Sequence, residues 1–398
     1  MDDITLIGID GGASKVLVHK VDILTNPMRF VALKPFIEVT YESSEHFRSS
    51  FKPIVLARQI KEHNAGTKIE QTKTEAKQEE AVIDSFIKAI RTLLQNSNGN
   101  EVVIGVGLPG LKTKDKRGIS AMANGPRMPK FLTNLEKRLK KEGCKTLSPI
   151  HSIGSDADYC GLGERWGDNG GMRGVNFAYY FGGGTGVADA MLLEDEIVPF
   201  DQCKPWIGKT WEMLANDEET YENLLSAKGI QTRYATLTGT TQEELQKSEV
   251  YPWQIFERAL EGEEAAVQIV EETAQALADL LYHRIRTLAV GAPETRFLDE
   301  KRVLETEHEY LGKVFERIVI GQRLGDIWEF KNFEPLLNDP VNEKLGRMIH
   351  ASDLPQEIKS EYLTKTNRLR DDLIVNSELR HAPALGAAVD AYLEWIEQ

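Results

Sequence analysis

The sequence predicts an α/β protein. Apolar strand-like runs alternate with a long amphipathic helical pattern in the order strand, helix, strand. Two pairs of the strand-like runs are also joined by glycine-rich turns, the signature of hairpins. At 398 residues the chain exceeds the usual size of one domain, so two domains are expected.

The first apolar run, residues 4–10, ends at Asp10 and is followed by Gly11, Gly12, Ala13, Ser14 and Lys15 and then by a second strand over 16–21. Either this is a tight turn with an exposed lysine or it is a phosphate site. In the second case Asp10 holds a magnesium ion through water, the amides of Gly11 to Ser14 face phosphate oxygens, and Ser14 or Lys15 donates to them. No helix follows the glycines, which excludes the dinucleotide-binding and Walker arrangements.

Residues 36–40 and 53–57 read as short strands among polar connections. Over 75–95 the period changes: Ile83, Phe86, Ile87, Ile90 and Leu94 recur every three or four residues, and Thr72 and Glu75 are spaced as a capping box. Gly99 ends that connection. An all-apolar strand over 102–106 leads into the turn Gly107-Leu108-Pro109-Gly110, and Asn124-Gly125-Pro126-Arg127 is a further turn by composition. Residues 132–141 form a lysine-rich surface helix with a solvated face. A short strand over 150–153 then meets Gly154-Ser155-Asp156-Ala157-Asp158 and a helix to Arg165. The two carboxylates stand where strand gives way to helix, as first-turn residues matching the helix dipole or as functional groups.

Residues 175–192 repeat the hairpin pattern, with Gly182, Gly183, Gly184, Thr185 and Gly186 at the turn. Such glycines either reverse the chain or let backbone amides approach an anion. A core helix over 263–290 carries Val267, Val270, Ala274, Leu277, Leu281, Ile285 and Leu288 in one stripe. The buried strand 318–320 stops at Gly321-Gln322-Arg323-Leu324-Gly325, a turn that can also leave room for a flat ligand such as an adenine. Residues 331–372 are charged and locally helical, with no evident place in the fold. From Pro383 a last helix puts Leu385, Ala388, Val389, Tyr392 and Ile396 on one face. No internal repeat is visible.

Composition narrows the function. A net charge of −14 argues against a nucleic-acid partner. Cys144, Cys160 and Cys203 are widely spaced and form no CxxC pair, which suggests neither a disulfide framework nor a cysteine zinc site. No stretch approaches a membrane span, and a cytoplasmic protein without a membrane partner is expected.

Taken together, Asp10-Gly-Gly-Ala-Ser-Lys15, Gly107-Leu-Pro-Gly110, Ser155-Asp-Ala-Asp158 with Gly163-Glu164, and Gly183-Gly-Thr-Gly186 resemble the ROK family, in the sugar-kinase branch of the actin-like ATPase superfamily. The resemblance runs on through Glu222 to Ser226, the long helix, the Gly321 turn and Ala384-Leu-Gly-Ala-Ala388, nearly the whole chain in order. It implies two actin-like (ribonuclease H-like) α/β domains with an interdomain cleft, one over 1–172 plus the C-terminal helix 383–398 and one over 173–382. It further implies ATP bound across the two glycine hairpins with magnesium, a sugar or sugar-like hydroxyl as acceptor, and a homodimer. By matching position, Asp10 is the magnesium-site aspartate and Gly12 and Ser14 belong to the first phosphate loop. Gly184, Thr185 and Gly186 belong to the second, Gly321 starts the adenosine segment, and Asp156 is the catalytic base. Ser155 beside that base, Glu222 in a Glu-x-x-x-Ser pattern, and Asn124 fall on the sugar side.

The departures lie on the same side. ROK members usually carry Glu-x-Gly-His followed by a cysteine-rich zinc motif. Here the region reads Cys203-Lys-Pro-Trp-Ile-Gly-Lys209, so Trp206 and Lys209 stand where that Glu and His would, and no zinc is expected. The indole has core packing as its alternative use. Ser155 replaces the usual Asn before the base, and Ala13 replaces a phosphate-loop glycine. Two other functions on related frames are a non-catalytic sugar or nucleotide sensor and an activase-type ATPase. The known repressors carry a helix-turn-helix ahead of the kinase-like part, and the activases need a cysteine-ligated cluster.

Overall fold

The computed structural model describes residues 4–95 and 101–398, and Gly99 lies outside them. The chain divides into two compact units, one of residues up to Gly170 with His381–Gln398, the other Gly171–Arg380.

In the first unit, alternating apolar residues build an antiparallel meander of β1 (Ile4–Gly11), β2 (Lys15–Thr25) and β3 (Met28–Ala32). A short β4 (Ile37–Thr40) also pairs with β2. On the other side of β1 lie β5 (Glu101–Gly107) and, beyond the small β6 (Leu111–Lys112) and β7 (Ile119–Ala121) ribbon, β8 (Ile153–Gly154). β5 and β8 run parallel to β1, giving the order β3-β2-β1-β5-β8. Four helices accompany them: α1 (Leu56–Asn64), α2 (Lys73–Leu94), α3 (Phe131–Lys141) and α4 (Asp156–Trp166). The Thr72 and Glu75 capping box forms at the start of α2. Ile7, Ile9, Val16 and Val18 pack with Val82, Phe86 and Ile90 of α2 and Phe131 and Leu135 of α3.

The opposite sheet face receives the C-terminal helix, Ala382–Ile396, at backbone distance. A methyl on Gly8 would fall 1.8 Å from the Ala384 carbonyl oxygen, and one on Gly105 would fall 1.7 Å from that of Ala387. Glycine is required in both strands because a helix backbone occupies the place of a side chain. Of the apolar face read from the sequence, Leu385, Ala388, Val389 and Tyr392 are buried, whereas Ile396 in the last turn is 49% exposed.

Two expectations need correction here. Residues 53–57 are not a strand: the chain is irregular to Val55, and Leu56 opens α1. A short apolar run has no period by which to tell the two apart. At 150–153 only Ile153 joins the ladder, because the Ile150 amide donates instead to Glu136 Oε1 at 2.8 Å. The lysine-rich helix α3 has its solvated face, with Phe131, Leu132, Leu135 and Leu139 buried beneath it.

The second unit repeats the topology of the first. β9 (Ala178–Gly183), β10 (Val187–Leu193) and β11 (Glu196–Val198) form the meander, and β12 (Arg317–Gly321) and β13 (Ile374–Asn376) add in parallel, in the order β11-β10-β9-β12-β13. The chain is thus two copies of one strand plan, although no repeat is visible in the sequence. The connections are helical: α5 (Phe200–Cys203), α6 (Tyr221–Leu225), α7 (Ala227–Thr238), α8 (Gln242–Lys247), α9 (Pro252–Leu260) and α10 (Glu264–Val290) precede β12. α11 (Gln322–Glu329), α12 (Asn338–Ala351) and α13 (Gln356–Tyr362) follow it. The stripe of α10 is buried against Val341, Leu345 and Ile349 of α12 and Ile255 and Phe256 of α9. Gly321 does not open a turn; β12 passes directly into α11.

Two buried histidines weaken the fold in acid. His283 lies between Thr295 and Thr287 hydroxyls at 2.6 and 3.3 Å, and burial, then the neighbouring Arg284 and Arg286, pushes its imidazole down to about 3. In the first unit burial, then the neighbouring His381, lowers His19 to about 4. Unfolded imidazoles titrate near 6.5, so below that pH the unfolded chain binds protons that the folded chain refuses. Stability is therefore lost as pH falls from about 6.5 towards 4, by up to about 1.4 kcal/mol per pH unit for each histidine. Asp10, whose carboxyl is pushed up to about 7, acts with the opposite sign over the same range, so the check is the difference in Tm between His283→Gln and wild type, which should grow in favour of the variant as pH falls.

Candidate active site

Strand register assembles the candidate site of the first unit. Asp10 pairs with Gly107, and Gly107 with Gly154, so β1, β5 and β8 end together. Ligands of such sheets gather at the carboxyl ends of the parallel strands. Asp156 lies two residues past Gly154 and is the first residue of α4. Ser155 is the N-cap by position, yet its hydroxyl makes no cap hydrogen bond. Both Asp156 and Asp158 sit in the first turn, where negative charge is favourable. The ring of Tyr159 lies over Gly154 and Gly107, and its hydroxyl donates to Asp390 Oδ2 at 2.7 Å, tying α4 to the C-terminal helix.

Asp10 is electrostatically tense. Burial, and then the neighbouring Asp156 carboxylate, pushes its carboxyl up to about 7, against the pull of Lys15. The Lys15 ammonium itself is held by Glu38 Oε2 at 2.7 Å on the surface. Within the turn, the Gly12 amide donates to the Lys15 carbonyl at 2.8 Å, and the buried Tyr41 hydroxyl donates to the Gly12 carbonyl at 3.0 Å. Ala13 and Ser14 are exposed, and among the described residues no backbone group accepts from their amides. Gly11 is required by packing, since a methyl there would meet Leu108 at 2.4 Å and Phe86 at 2.8 Å.

The second unit builds the same device. The Gly184 amide donates to the Gly186 carbonyl at 2.9 Å, and the Val187 amide to Glu222 Oε2 at 3.2 Å. Thr185 and Gly186 are exposed, and among the described residues no backbone group accepts from their amides. Gly183 is packed against Leu324, and Gly321 pairs with Gly182. Both of these last glycines make room for Tyr180, whose hydroxyl would lie 2.8 Å from a methyl on Gly182 and 2.4 Å from one on Gly321. Burial raises the Glu222 carboxyl above its ordinary value, with the Val187 amide opposing and Asp189 adding to the rise.

Sequence reasoning missed the buried group beneath that turn. Asp189 accepts from the Tyr179 hydroxyl and from Thr210 Oγ1 at 3.2 Å, and its Oδ1 is 3.6 Å from Nη2 of the fully buried Arg284. Glu222 joins it through its amide, which donates to the Thr210 carbonyl at 3.1 Å. The available signal was an aspartate inside the otherwise apolar β10.

The remaining sugar-side positions are dispersed. Lys209 turns its ammonium to Asp201 Oδ1 at 2.9 Å, and Trp206 is buried and stacked on His308 at 4.2 Å, so the indole is core. Asn124 is exposed on a loop fixed at both ends. Gln59 bonds both the amide and the carbonyl of Met122, at 2.8 and 3.2 Å. Arg127, 2% exposed, reaches Glu75 through Nε at 2.7 Å and Nη2 at 2.9 Å and Glu62 through Nη1 at 2.5 Å. Arg127→Met should lower stability by about 3–5 kcal/mol by stranding Glu75, as denaturant unfolding would measure.

Among the described residues no group of three or more His, Cys, Asp or Glu side chains is gathered to hold a metal ion. A single carboxylate beside free amides still fits magnesium, which keeps several waters and takes substrate phosphates as ligands.

No family model and no curated protein matches the chain. Solved structures do, over nearly its whole length. A ROK family glucokinase from Streptomyces griseus, in complex with glucose and AMPPNP, is 14% identical with a TM-score of 0.56, over 97% of this chain and 98% of that one. The ROK hexokinase from Thermus thermophilus is 14% identical with a TM-score of 0.55, over 99% and 100%. A ROK family transcriptional regulator, a homolog of the E. coli MLC protein, is 10% identical with a TM-score of 0.57, over 98% of this chain and 78% of its own. At these identities the likeness is one of fold: the chain has the actin-like α/β fold of the ROK family sugar kinases, which a ROK transcriptional regulator shares.

Proposed function

We propose that the protein transfers a phosphoryl group from ATP to a hydroxyl of a sugar or sugar-like small molecule, acting with magnesium. The observation that carries this reading is the placing of Asp10 and Asp156 at one sheet end beside a glycine turn with two free amides. Phosphoryl transfer asks little more of a protein than positioning, charge neutralisation and a base.

Each residue then has a role. Half-buried Asp156 accepts the proton of the acceptor hydroxyl, and Ser155 beside it orients that hydroxyl. Asp10 holds magnesium through water, and the amides of Ala13 and Ser14 donate to phosphate oxygens; the amides of Thr185 and Gly186 offer a phosphate the same donors within their own unit. Bound ATP and magnesium supply the phosphoryl group and neutralise its charge. Asn124, Glu222 and Lys209 belong to the acceptor side, Glu222 by way of the turn it supports and Lys209 by way of Asp201. Family likeness supports a homodimer, and three cysteines that form no disulfide fit the reducing cytoplasm.

The Streptomyces griseus neighbour holds glucose and AMPPNP, so hexoses with ATP are the first acceptors to test. Acceptor-dependent ADP release is expected in a screen of hexoses, N-acylated hexosamines and polyols. Nucleotide binding without any acceptor-dependent release would sink the kinase reading and favour a sensor, the role that the regulator neighbour makes concrete.

A further inference from the structure

The helix α1 is built inside out. Of its nine residues only Gln59 is buried, whereas Leu56 and Ile60, with Val55 just before them, are exposed. A surface helix normally turns its apolar stripe to the core. Here the residues that face the rest of the unit are polar: Gln59, Glu62 and His63, three and four positions apart and so on one face. Hydrogen bonds, more than apolar burial, attach α1 to its unit.

All three of these side chains hold one stretch of chain, β7 and the loop that follows it. His63 Nδ1 lies 2.8 Å from Ser120 Oγ. Gln59 Oε1 accepts from the Met122 amide at 2.8 Å, while its Nε2 donates to the Met122 carbonyl at 3.2 Å and to that of Ile54 at 2.6 Å. Glu62 Oε2 accepts from Arg127 Nη1 at 2.5 Å. The Gln59 carboxamide thus pairs with both backbone groups of Met122, as a neighbouring strand would. Met122 passes the constraint on. Its side chain is buried beneath Gly125, where a methyl would lie 2.5 Å from the sulfur. Asn124 stands between these two residues and is exposed. A latch of polar side chains specifies one loop position, because hydrogen bonds weaken steeply when their geometry is disturbed.

We propose that Gln59 is a positioning residue for the phosphoryl acceptor, acting through Met122 to set the place from which Asn124 meets the acceptor. The inference rests on the reading of Asn124 as an acceptor-side residue.

The test is a double-mutant cycle on the whole protein, with glucose, mannose and galactose as acceptors and MgATP as donor. Gln59→Met keeps the length of the side chain and loses its three bonds. It should raise the KM for hexose about tenfold, the scale of one hydrogen bond lost from the acceptor, and leave the KM for MgATP within about twofold. Asn124→Ala should raise the hexose KM as well. The double variant should be no worse than Asn124→Ala alone, because Gln59 acts through that residue. His63→Ala spares the buried bonds and should show the same coupling with a rise of about threefold, which decides the question if Gln59→Met does not fold. A merely structural Gln59 would lower Tm in its variant without this split between the two substrates. Hexose KM within about twofold of wild type in these variants, or factors that multiply in the double variant, overturns the inference. A wild-type KM in Asn124→Ala would instead fail the acceptor reading of Asn124, and absence of hexose turnover in the wild type would fail the reading of hexoses as acceptors. Either takes the inference with it.

Discussion

Asp156→Asn lowers turnover by about 10²–10⁴-fold, the usual yield of a positioned general base, and leaves MgADP affinity within about twofold. The asparagine has the shape of the aspartate, so α4 keeps its start beside Ser155 and Tyr159 still bridges to Asp390. What is lost, on the proposed reading, is the charge and basicity of the carboxylate that would receive the acceptor's proton. A second consequence follows from electrostatics. Asp156 is one cause of the raised Asp10 carboxyl, so removing its charge lets Asp10 ionise at lower pH. Magnesium-dependent nucleotide binding should then persist to lower pH in Asp156→Asn than in wild type. Steady-state kinetics with the acceptor found by screening, together with calorimetry from pH 5.5 to 8, measures both effects. Wild-type turnover in the variant would remove Asp156 from the role of base.

Both hairpins were legible in the sequence because their turns announce themselves locally, through glycines between apolar runs. The helix over Lys73–Leu94 was legible with its cap, since Thr72 and Glu75 are three residues apart. What escaped was set by contacts between distant residues. Lys15 reads as a phosphate donor until β2 and β4 pair and bring Glu38 to its ammonium, 23 residues away. Gly182 and Gly321 read as space for a ligand, and that space is filled by Tyr180. Arg127 reads as part of a turn, yet its guanidinium is locked to Glu75, 52 positions earlier. The shared strand plan of the two units also left no trace in the sequence. A buried strand constrains apolarity and little else, so many unrelated runs build the same sheet. The site's backbone was readable, while its side-chain economy was decided by tertiary pairing.

That economy makes Asp10→Asn a test of opposite effects on stability and function. The folded carboxyl titrates at about 7 against an ordinary value of 3.8. Between those values the folded state binds the extra proton, so for this group stability falls as pH rises through the window and the whole penalty is present above about 7. Asparagine carries no charge and escapes the penalty. The difference in stability between Asp10→Asn and wild type, without magnesium, should therefore grow from near zero at pH 4 to about 1–3 kcal/mol in favour of the variant at pH 8, after screening at a partly accessible site. Function should move the other way. On the proposed reading the carboxylate that Asp156 repels is the one that would hold hydrated magnesium, and the ion would relieve both charges. Magnesium with ADP should raise the Tm of wild type at pH 8 and leave that of Asp10→Asn nearly unchanged, with turnover lost. A variant less stable than wild type at pH 8 would show that Asp10 is a structural carboxylate. The tension at the end of β1 would then have another origin than a site awaiting a cation.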